Sequence, residues 1–457
     1  MTDQGKKRGE KGELPRILTL RDATMLVVSS VIGVGIFVTP GGVARLLPSP
    51  WWFGAAWLVG GVLALAGSLA NAELGATFPN AGGNYVYLRA AYHPMAGFLV
   101  GWLSFFAIFA GTVATLAVGF TISLSSFVDV DPKSDAAVVI AIVLIWAATA
   151  VNAYATRSGA ALNTATAYLK IGALVAVVII GPILGHSRAA EHPFASTGSP
   201  SIGNFGAALA PVIFSYLGWN ASVYVAGEID DPGRNLPRSL FWGLAICTSI
   251  YLMVTMTFVY AVGMPALAAG DEGMTAVGPV AGAVLFGSVG GKLVAAIMLV
   301  SIFGCLNANV LVGPRIAYAM AKDGLFFRVA ASLSDRAQTP WVAVIVQAIT
   351  ASLLVVIFRG RLDRVLHYTT FAIVIATLAD TSALYVLRAR DPDRPRPYRA
   401  AGYPWVPALY ILANVAIAGS MLWKETAECV TSLAVLLTGA PVYLLFAWYR
   451  RRTMRAA

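Results

Sequence analysis

Long apolar runs are the feature that most restricts how this sequence can fold. About 20 apolar residues can cross the ~30 Å hydrocarbon core of a bilayer as a helix. We identify twelve such segments, at residues 22–46, 52–78, 94–126, 136–154, 160–185, 204–229, 239–263, 290–318, 341–358, 364–387, 404–423 and 430–449. The third and eighth are longer than one span needs. Because an open sheet edge cannot face lipid, the segments predict an all-α polytopic membrane protein with twelve transmembrane helices.

The composition agrees with a membrane location. Charged residues make up 12% of the 457 residues and hydrophobic residues 58%, whereas soluble domains carry about 25% charged residues. A soluble globule is therefore excluded, and the net charge of +10 is a topology signal rather than a nucleic-acid-binding surface. The three cysteines and four histidines show no metal-site spacing, so we expect neither a metal nor a cofactor.

The distribution of basic residues predicts the orientation in the membrane. If the N-terminus is cytoplasmic, 23 of the 32 Lys and Arg residues fall on the cytoplasmic side and eight on the outside. Positive residues concentrate in cytoplasmic loops. We therefore expect a plasma (inner) membrane protein with cytoplasmic tails at residues 1–21 and 450–457.

Glycines interrupt the first and sixth segments near their middles. The first reads SSVIGVGIF at residues 29–37, and the sixth reads PVIFSYLGWN at 211–220. Glycine weakens a helix by up to ~1 kcal/mol relative to alanine, so we expect a break in each. Paired interruptions point to the substrate site of a transporter. Close helix packing at the glycines is the alternative.

Each interrupted segment opens a block of five segments. Because five is odd, the two blocks cross the membrane in opposite directions. The domain organisation predicted from this is a first five-helix repeat at residues 22–185, an inverted second repeat at 204–387, and two further helices at 404–449.

Short motifs along nearly the whole chain resemble those of the amino acid–polyamine–organocation permeases. They include GVGIF at 33–37, AELG at 72–75, FPNAGGNY at 78–85, FSYLGWN at 214–220, RNLPR at 234–238 and RPYR at 396–399. The FSYLGWN motif and Lys170 are most similar to the system-L-like amino-acid transporters, here of a bacterial type. The resemblance implies the leucine-transporter-like fold of two inverted five-helix repeats plus two helices.

The resemblance also implies a permease that moves L-amino acids by alternating access, not an enzyme. Sodium-independent exchange and proton-coupled uptake both remain open. We find no acidic residue beside either break, which favours neutral substrates over the alternative of cationic amino acids or polyamines. A channel or an intramembrane enzyme is disfavoured, because the sequence has neither repeated pore motifs nor an embedded catalytic pair.

Backbone groups at the two breaks are expected to bind the substrate. Its carboxylate would take the amides of Val34, Gly35 and Ile36 at the positive end of a half-helix, where the glycines bare the backbone to the ligand. Its ammonium would meet carbonyls near Ile32 and Phe214. The expected substrate-binding residues are Ile32, Gly33, Val34, Gly35, Ile36, Phe214, Ser215, Leu217, Gly218, Trp219 and Asn220.

Lys170 lies about ten residues into the fifth apolar segment. A lysine there costs about 2.5–3.5 kcal/mol on insertion scales, so a functional role is the default hypothesis and snorkelling the alternative. By resemblance, its ammonium takes the place of a sodium ion, with carbonyls near Ser30 or Gly33 and the hydroxyl of Ser301 as partners. The residues alone do not separate a permanent cation from a proton carrier.

Three acidic residues lie within or at the ends of apolar segments. Asp380, in the tenth segment, is expected to face a water-filled inner vestibule, with proton coupling as the alternative. Glu73 and Glu228 fall at predicted cytoplasmic ends near arginine-bearing loops. They are gate candidates, either as an inner charge latch or merely as solvated helix ends.

The loop at residues 127–136 contains no cysteine. Animal system-L transporters use a cysteine in this loop to bond a heavy subunit. We therefore expect no disulfide-linked heavy subunit. The expected partners are the lipid bilayer and an amino acid substrate, and the expected state is a monomer or weak homo-oligomer.

Overall fold

The computed structural model describes residues 16–154, 156–186, 189–196, 198–269, 276–334 and 339–456. Residues 1–15 of the predicted N-terminal tail and the last residue of the C-terminal tail lie outside these ranges. Within them the chain is helical, apart from loops and one isolated parallel bridge between Leu18 and Ile229.

The first helix of the first half, α1 at Leu20–Val31, has a capped N-terminus. The side chain of Thr19 accepts a hydrogen bond from the amide of Asp22 and so caps α1. The described helices of the first half are α1 Leu20–Val31, α2 Gly35–Leu46, α3 Pro50–Thr77, α4 Asn84–Ala91, α5 Pro94–Leu103, α6 Ala110–Leu124, α7 Asp135–Tyr154 and α8 Thr156–Gly185. A π-helical turn, Ser104–Phe109, joins α5 and α6 into a 31-residue rod. The predicted extra length of the third segment is thus confirmed.

The second half also begins with an interrupted helix. Its described helices are α9 Ile202–Tyr216, α10 Ala221–Tyr224, α11 Pro232–Val262, α12 Met264–Ala269, α13 Val277–Phe286, α14 Ser288–Val312, α15 Pro314–Lys322, α16 Trp341–Ile357, α17 Leu362–Arg390, α18 Trp405–Lys424 and α19 Thr426–Ala456. Together α14 and α15 form a 35-residue rod, Ser288–Lys322, which confirms the length predicted for the eighth segment.

The described residues contain fewer long apolar helices than the predicted twelve. Nine described helices are long and apolar enough to cross a membrane, and the bent pair α1 and α2 makes a tenth. The sixth and ninth predicted segments hold shorter helices, α9 with 15 residues and α16 with 17. A polytopic all-α fold is confirmed, and the number twelve stays a prediction. The ten-residue α13 was not predicted, because it is too short to span a bilayer.

The outer surface of the helix bundle is apolar. Val143, Ile183 and Leu437 are each more than 60% exposed, and soluble proteins rarely expose contiguous apolar surface of this kind. Asn307 and Gln347, in contrast, are buried inside. This distribution suits lipid surroundings and places hydrogen-bonding groups in the centre of the bundle, where both helix breaks lie.

Candidate functional site

The first predicted break separates α1 from α2. The chain leaves α1 after Val31, resumes at Gly35, and bends by 49°. Within the described chain, the amides of Val34 and Gly35 have no backbone acceptor, as expected at a helix start. The N-terminal end of α2 therefore presents unpaired donors and a partial positive charge.

The second predicted break separates α9 from α10. Leu217 donates its amide to the carbonyl of Phe214 at 3.0 Å, and Gly218 follows with a φ of 99°. A Cβ atom at Gly218 would lie 2.6 Å from the carbonyl oxygen of Ser30. The second break can therefore lie across the end of α1 only because this residue is glycine.

The two breaks contact each other directly. Gly35 packs against Ser215, where an added Cβ would lie 2.9 Å from the Ser215 Cα. The single hydroxyl proton of Tyr251, on α11, is shared between the carbonyls of Val31 at 2.9 Å and Ser215 at 2.8 Å. Sequence reasoning missed Tyr251, because one tyrosine in an apolar segment carries no signal of its own.

The close-packing alternative is supported at both glycines of the first break. An added Cβ at Gly33 would lie 3.0 Å from the Cys305 sulfur, and the Cβ of Gly35 would point at Ser215. Both glycines therefore serve close helix packing through their missing side chains. The backbone of these residues, not the space of an absent side chain, borders the site.

A cavity of about 70 Å³ lies between the breaks. Of the expected residues, it is lined by Gly33, Val34, Gly35, Phe214, Ser215, Leu217, Gly218 and Asn220. Residues not foreseen are Ser30, Val31, Ile108, Phe109, Thr112, Thr115, Leu116, Ala221, Tyr224, Cys305, Asn309, Thr369, Ile373, Ala376 and Thr377. None of these lining residues is charged.

Three expected residues do not line the cavity. The carbonyl of Ile32 already accepts hydrogen bonds from Lys170 at 2.8 Å and from the Ser301 hydroxyl at 3.0 Å. Ile36 is completely buried, and Trp219 is 3% exposed. The prediction that the Ile32 carbonyl binds the substrate ammonium is therefore wrong, because both lone pairs of that oxygen are already used.

A wider pocket of about 470 Å³ adjoins the cavity at one end of the bundle, which we call the vestibule end. Arg45, His367 and Lys424 are among its lining residues. Phe214 lines this pocket as well as the cavity and therefore borders both spaces.

The opposite end, which we call the latch end, is held by buried ion pairs. Glu73 is 1% exposed and accepts hydrogen bonds from Arg388 at 2.9 and 2.5 Å and from the amide of Ala400 at 2.6 Å. It also pairs with Arg396 at 3.3 Å. These contacts join α3 to α17 and to the loop before α18.

Glu228 forms the second buried pair at the latch end. Arg315 donates to its two carboxylate oxygens at 2.9 and 3.2 Å, and both side chains are at most 2% exposed. The backbone carbonyl of Glu228 accepts hydrogen bonds from the amides of Ile17 and Leu18, each at 2.9 Å. The alternative of solvated helix ends is thus wrong for both glutamates.

Lys170 is completely buried on α8, so the snorkelling alternative is wrong. Its Nζ donates to the carbonyls of Ser29 at 3.2 Å, Ile32 at 2.8 Å and Ser301 at 3.0 Å. One expected partner was wrong, since the Ser301 hydroxyl donates to the Ile32 carbonyl instead. The ammonium therefore joins the end of α1 to α8 and α14.

Asp380, on α17, is only 1% exposed. Neither carboxylate oxygen has a hydrogen-bond partner among the described residues. The prediction that this side chain faces a water-filled inner vestibule is therefore wrong, because the helices packed around α17 enclose it.

Comparisons with known proteins identify relatives that are transporters. The profile of a family described as amino acid permease matches residues 18–444. A serine/threonine exchanger of Bacillus subtilis (strain 168) is 32% identical over 437 residues, covering 95% of this chain and 97% of that protein. The human large neutral amino acids transporter small subunit 2 is 28% identical over 450 residues, covering 96% and 82%. The human cystine/glutamate transporter is 26% identical over 442 residues, covering 96% and 86%.

Proposed function

This chain belongs to the amino acid permease family, and from that premise we propose that it carries small neutral L-amino acids by alternating access without sodium. Its family and relatives are transporters, so it is an amino acid permease rather than an enzyme. The observation that carries the substrate proposal is the uncharged cavity of about 70 Å³ between the two breaks.

Backbone groups would recognise the amino-acid part of the substrate. The carboxylate would accept hydrogen bonds from the backbone amides of Val34 and Gly35, which lack a backbone acceptor in the described chain. The ammonium would donate to the carbonyls of Ser30 and Phe214, two residues that line the cavity. The carbonyl of Phe214 accepts one hydrogen bond, from the Leu217 amide, and its second lone pair remains available for the ammonium.

The size and chemistry of the cavity support a small, uncharged side chain. A buried water needs about 10–15 Å³ of such space, so about 70 Å³ suits a short side chain better than an aromatic one. The described lining offers no carboxylate to pair with a cationic substrate or a polyamine. The hydroxyls of Ser30 and Thr369 are buried without a described partner, which favours substrates that can hydrogen-bond.

An uptake panel in proteoliposomes tests the substrate class. We expect alanine, serine and threonine to enter faster than phenylalanine, arginine or putrescine, with internal amino acid accelerating entry if exchange operates. Equal uptake of arginine or putrescine would contradict the neutral assignment. Absence of amino-acid transport under every gradient would contradict the proposed function.

Lys170 predicts independence from sodium. Its ammonium binds three carbonyls where α1, α8 and α14 meet, so we expect it to take the place of a bound sodium ion. We expect equal initial uptake rates in sodium chloride and choline chloride. A requirement for sodium would refute the surrogate role of Lys170.

Blocked amino acids should compete poorly with the substrate. An amino-acid amide or an N-acetyl derivative leaves one buried backbone partner without its charge-assisted hydrogen bond. A missing partner costs about 1–3 kcal/mol, or about 5- to 150-fold in affinity. Competition against labelled serine measures this, with serine itself as the control. Equal potency of the blocked compounds would place recognition away from the breaks.

The proposed setting is the plasma membrane with both termini cytoplasmic, so that the latch end faces the cytoplasm. The bias of 23 basic residues to eight supports this orientation. The broken α1–α2 and α9–α10 pairs support two inverted repeats at residues 22–185 and 204–387. The cysteine-free loop at 127–136 supports transport without a disulfide-linked heavy subunit, as a monomer or weak homo-oligomer.

A further inference from the structure

Asp380 occupies a position between the cavity and the latch. It lies three residues after Thr377, which lines the cavity, and eight residues before Arg388, which pairs with Glu73. At 3.6 residues per turn, these are about one and two helical turns along α17. Asp380 is therefore close to both the cavity and the Glu73–Arg388 pair at the latch end.

The surroundings of Asp380 do not stabilise a negative charge. Both carboxylate oxygens lack a hydrogen-bond partner in the described chain, and the side chain is 1% exposed. An isolated buried carboxylate is so costly that such a group instead becomes neutral. A carboxyl in this environment therefore holds a proton.

The titratable groups that face Asp380 are mainly hydroxyls. Tyr87 on α4, Tyr224 on α10 and Tyr410 on α18 interact with it electrostatically, and Tyr92 does so from beyond α4. None of these supplies a positive charge.

The cationic side chains of two helices packed against α17 lie elsewhere: Arg89 on α4 pairs with Asp323, and Lys424 on α18 lines the pocket at the vestibule end. The described α5, π-helical turn and α6 contain no titratable side chain. Glu73 on α3 is committed to Arg388 at the latch end, and Glu428 on α19 pairs with Arg364 at the vestibule end. The proton at Asp380 is thus held by burial, without a local counter-ion among these groups.

Tyr224 lies beside the cavity and close to Asp380. This tyrosine lines the cavity and interacts with Asp380. Its hydroxyl accepts a hydrogen bond from the Asn220 amide at 3.4 Å. Tyr224 therefore lies next to the second helix break and close to the buried carboxyl.

We propose that Asp380 is a proton-binding site that couples the entry of one proton to the net entry of one amino acid. With the vestibule open, the carboxylate binds a proton from the outer medium and becomes a neutral carboxylic acid. When the Glu73–Arg388 pair opens, water reaches the acid, its O–H bond breaks, and the proton leaves at the latch end. Net uptake requires this release, whereas exchange returns the protonated carrier with a new substrate.

The proposal rests on amino-acid transport, and Asp380→Asn separates the two. Asparagine keeps the size of the protonated acid but cannot lose a proton. We expect the variant to retain exchange of internal for external serine and to lose accumulation driven by a pH gradient. Asp391→Asn is the matched control, since Asp391 lies just after α17 in a half-exposed pair with Arg394; it should retain both activities.

Retained accumulation in Asp380→Asn would overturn the proposal while leaving the transport function intact, and loss of exchange together with accumulation would make the residue structural. Infrared difference spectra should contain a protonated-carboxyl band that disappears in the variant. If the variant does not fold, proton uptake accompanying serine uptake is measured in the unsubstituted protein, and its absence overturns the proposal.

Discussion

We expect Lys170→Met to reduce serine transport to the level of empty liposomes. Methionine fills a similar volume but donates no hydrogen bond, so the carbonyls of Ser29, Ile32 and Ser301 lose the ammonium that binds them. The Ile32 carbonyl keeps the Ser301 hydroxyl as a partner, whereas a buried group left without any partner costs about 1–3 kcal/mol. The loss falls on the junction that orients the end of α1 beside the cavity. Initial uptake rates, normalised to reconstituted protein, measure the effect.

The matched control for Lys170 is Gly172→Ala on the same helix, where an added Cβ meets no atom within 4 Å. This variant should transport normally. Lys170→Arg should not restore activity, because a planar guanidinium does not replace a compact ammonium. Normal transport by monodisperse Lys170→Met would show that the lysine is dispensable and remove the surrogate-cation proposal.

Gly218→Ala is expected to have the second-largest effect. The φ of 99° is unfavourable for alanine, and its Cβ would lie 2.6 Å from the Ser30 carbonyl oxygen. Strained backbone of this kind costs about 1–3 kcal/mol, so affinity for serine should fall by about 5- to 150-fold. Serine binding to purified, monodisperse protein measures the change.

Gly206→Ala provides the control for Gly218. It lies earlier in the second broken segment, on α9, and its added Cβ meets nothing within 4 Å. We expect unchanged serine affinity in this variant. Unchanged affinity in Gly218→Ala as well would mean that the second break can be remodelled without affecting the site.

The features predicted from sequence are those set by local pattern. Segment lengths gave the all-α membrane fold, and the glycines near residues 33–35 and 218 marked both breaks. Lys170 stood out because a charge is costly in an apolar span. These inferences need only the residue and its near neighbours along the chain.

The features that sequence did not predict depend on contacts between distant segments. Tyr251 bonds the Val31 carbonyl across 220 positions, and no local pattern identifies that pairing. The direction of the missing Gly35 side chain towards Ser215 depends on how α2 and α9 pack. The enclosure of Asp380 depends on α3, α4, α6 and α18, which all pack against α17, so its surroundings were wrongly expected to contain water.

The covalent attachment of the Lys170 ammonium has a consequence for membrane voltage. A co-transported sodium ion would carry one charge across the bilayer, worth about 2.3 kcal/mol per 100 mV. A lysine stays with the protein, and a zwitterionic substrate adds no net charge. Exchange would therefore be electrically silent, and amino-acid concentrations alone would set its direction. A proton carried by Asp380 would make net uptake respond to the potential, so electrical recording could distinguish the two modes in a single membrane.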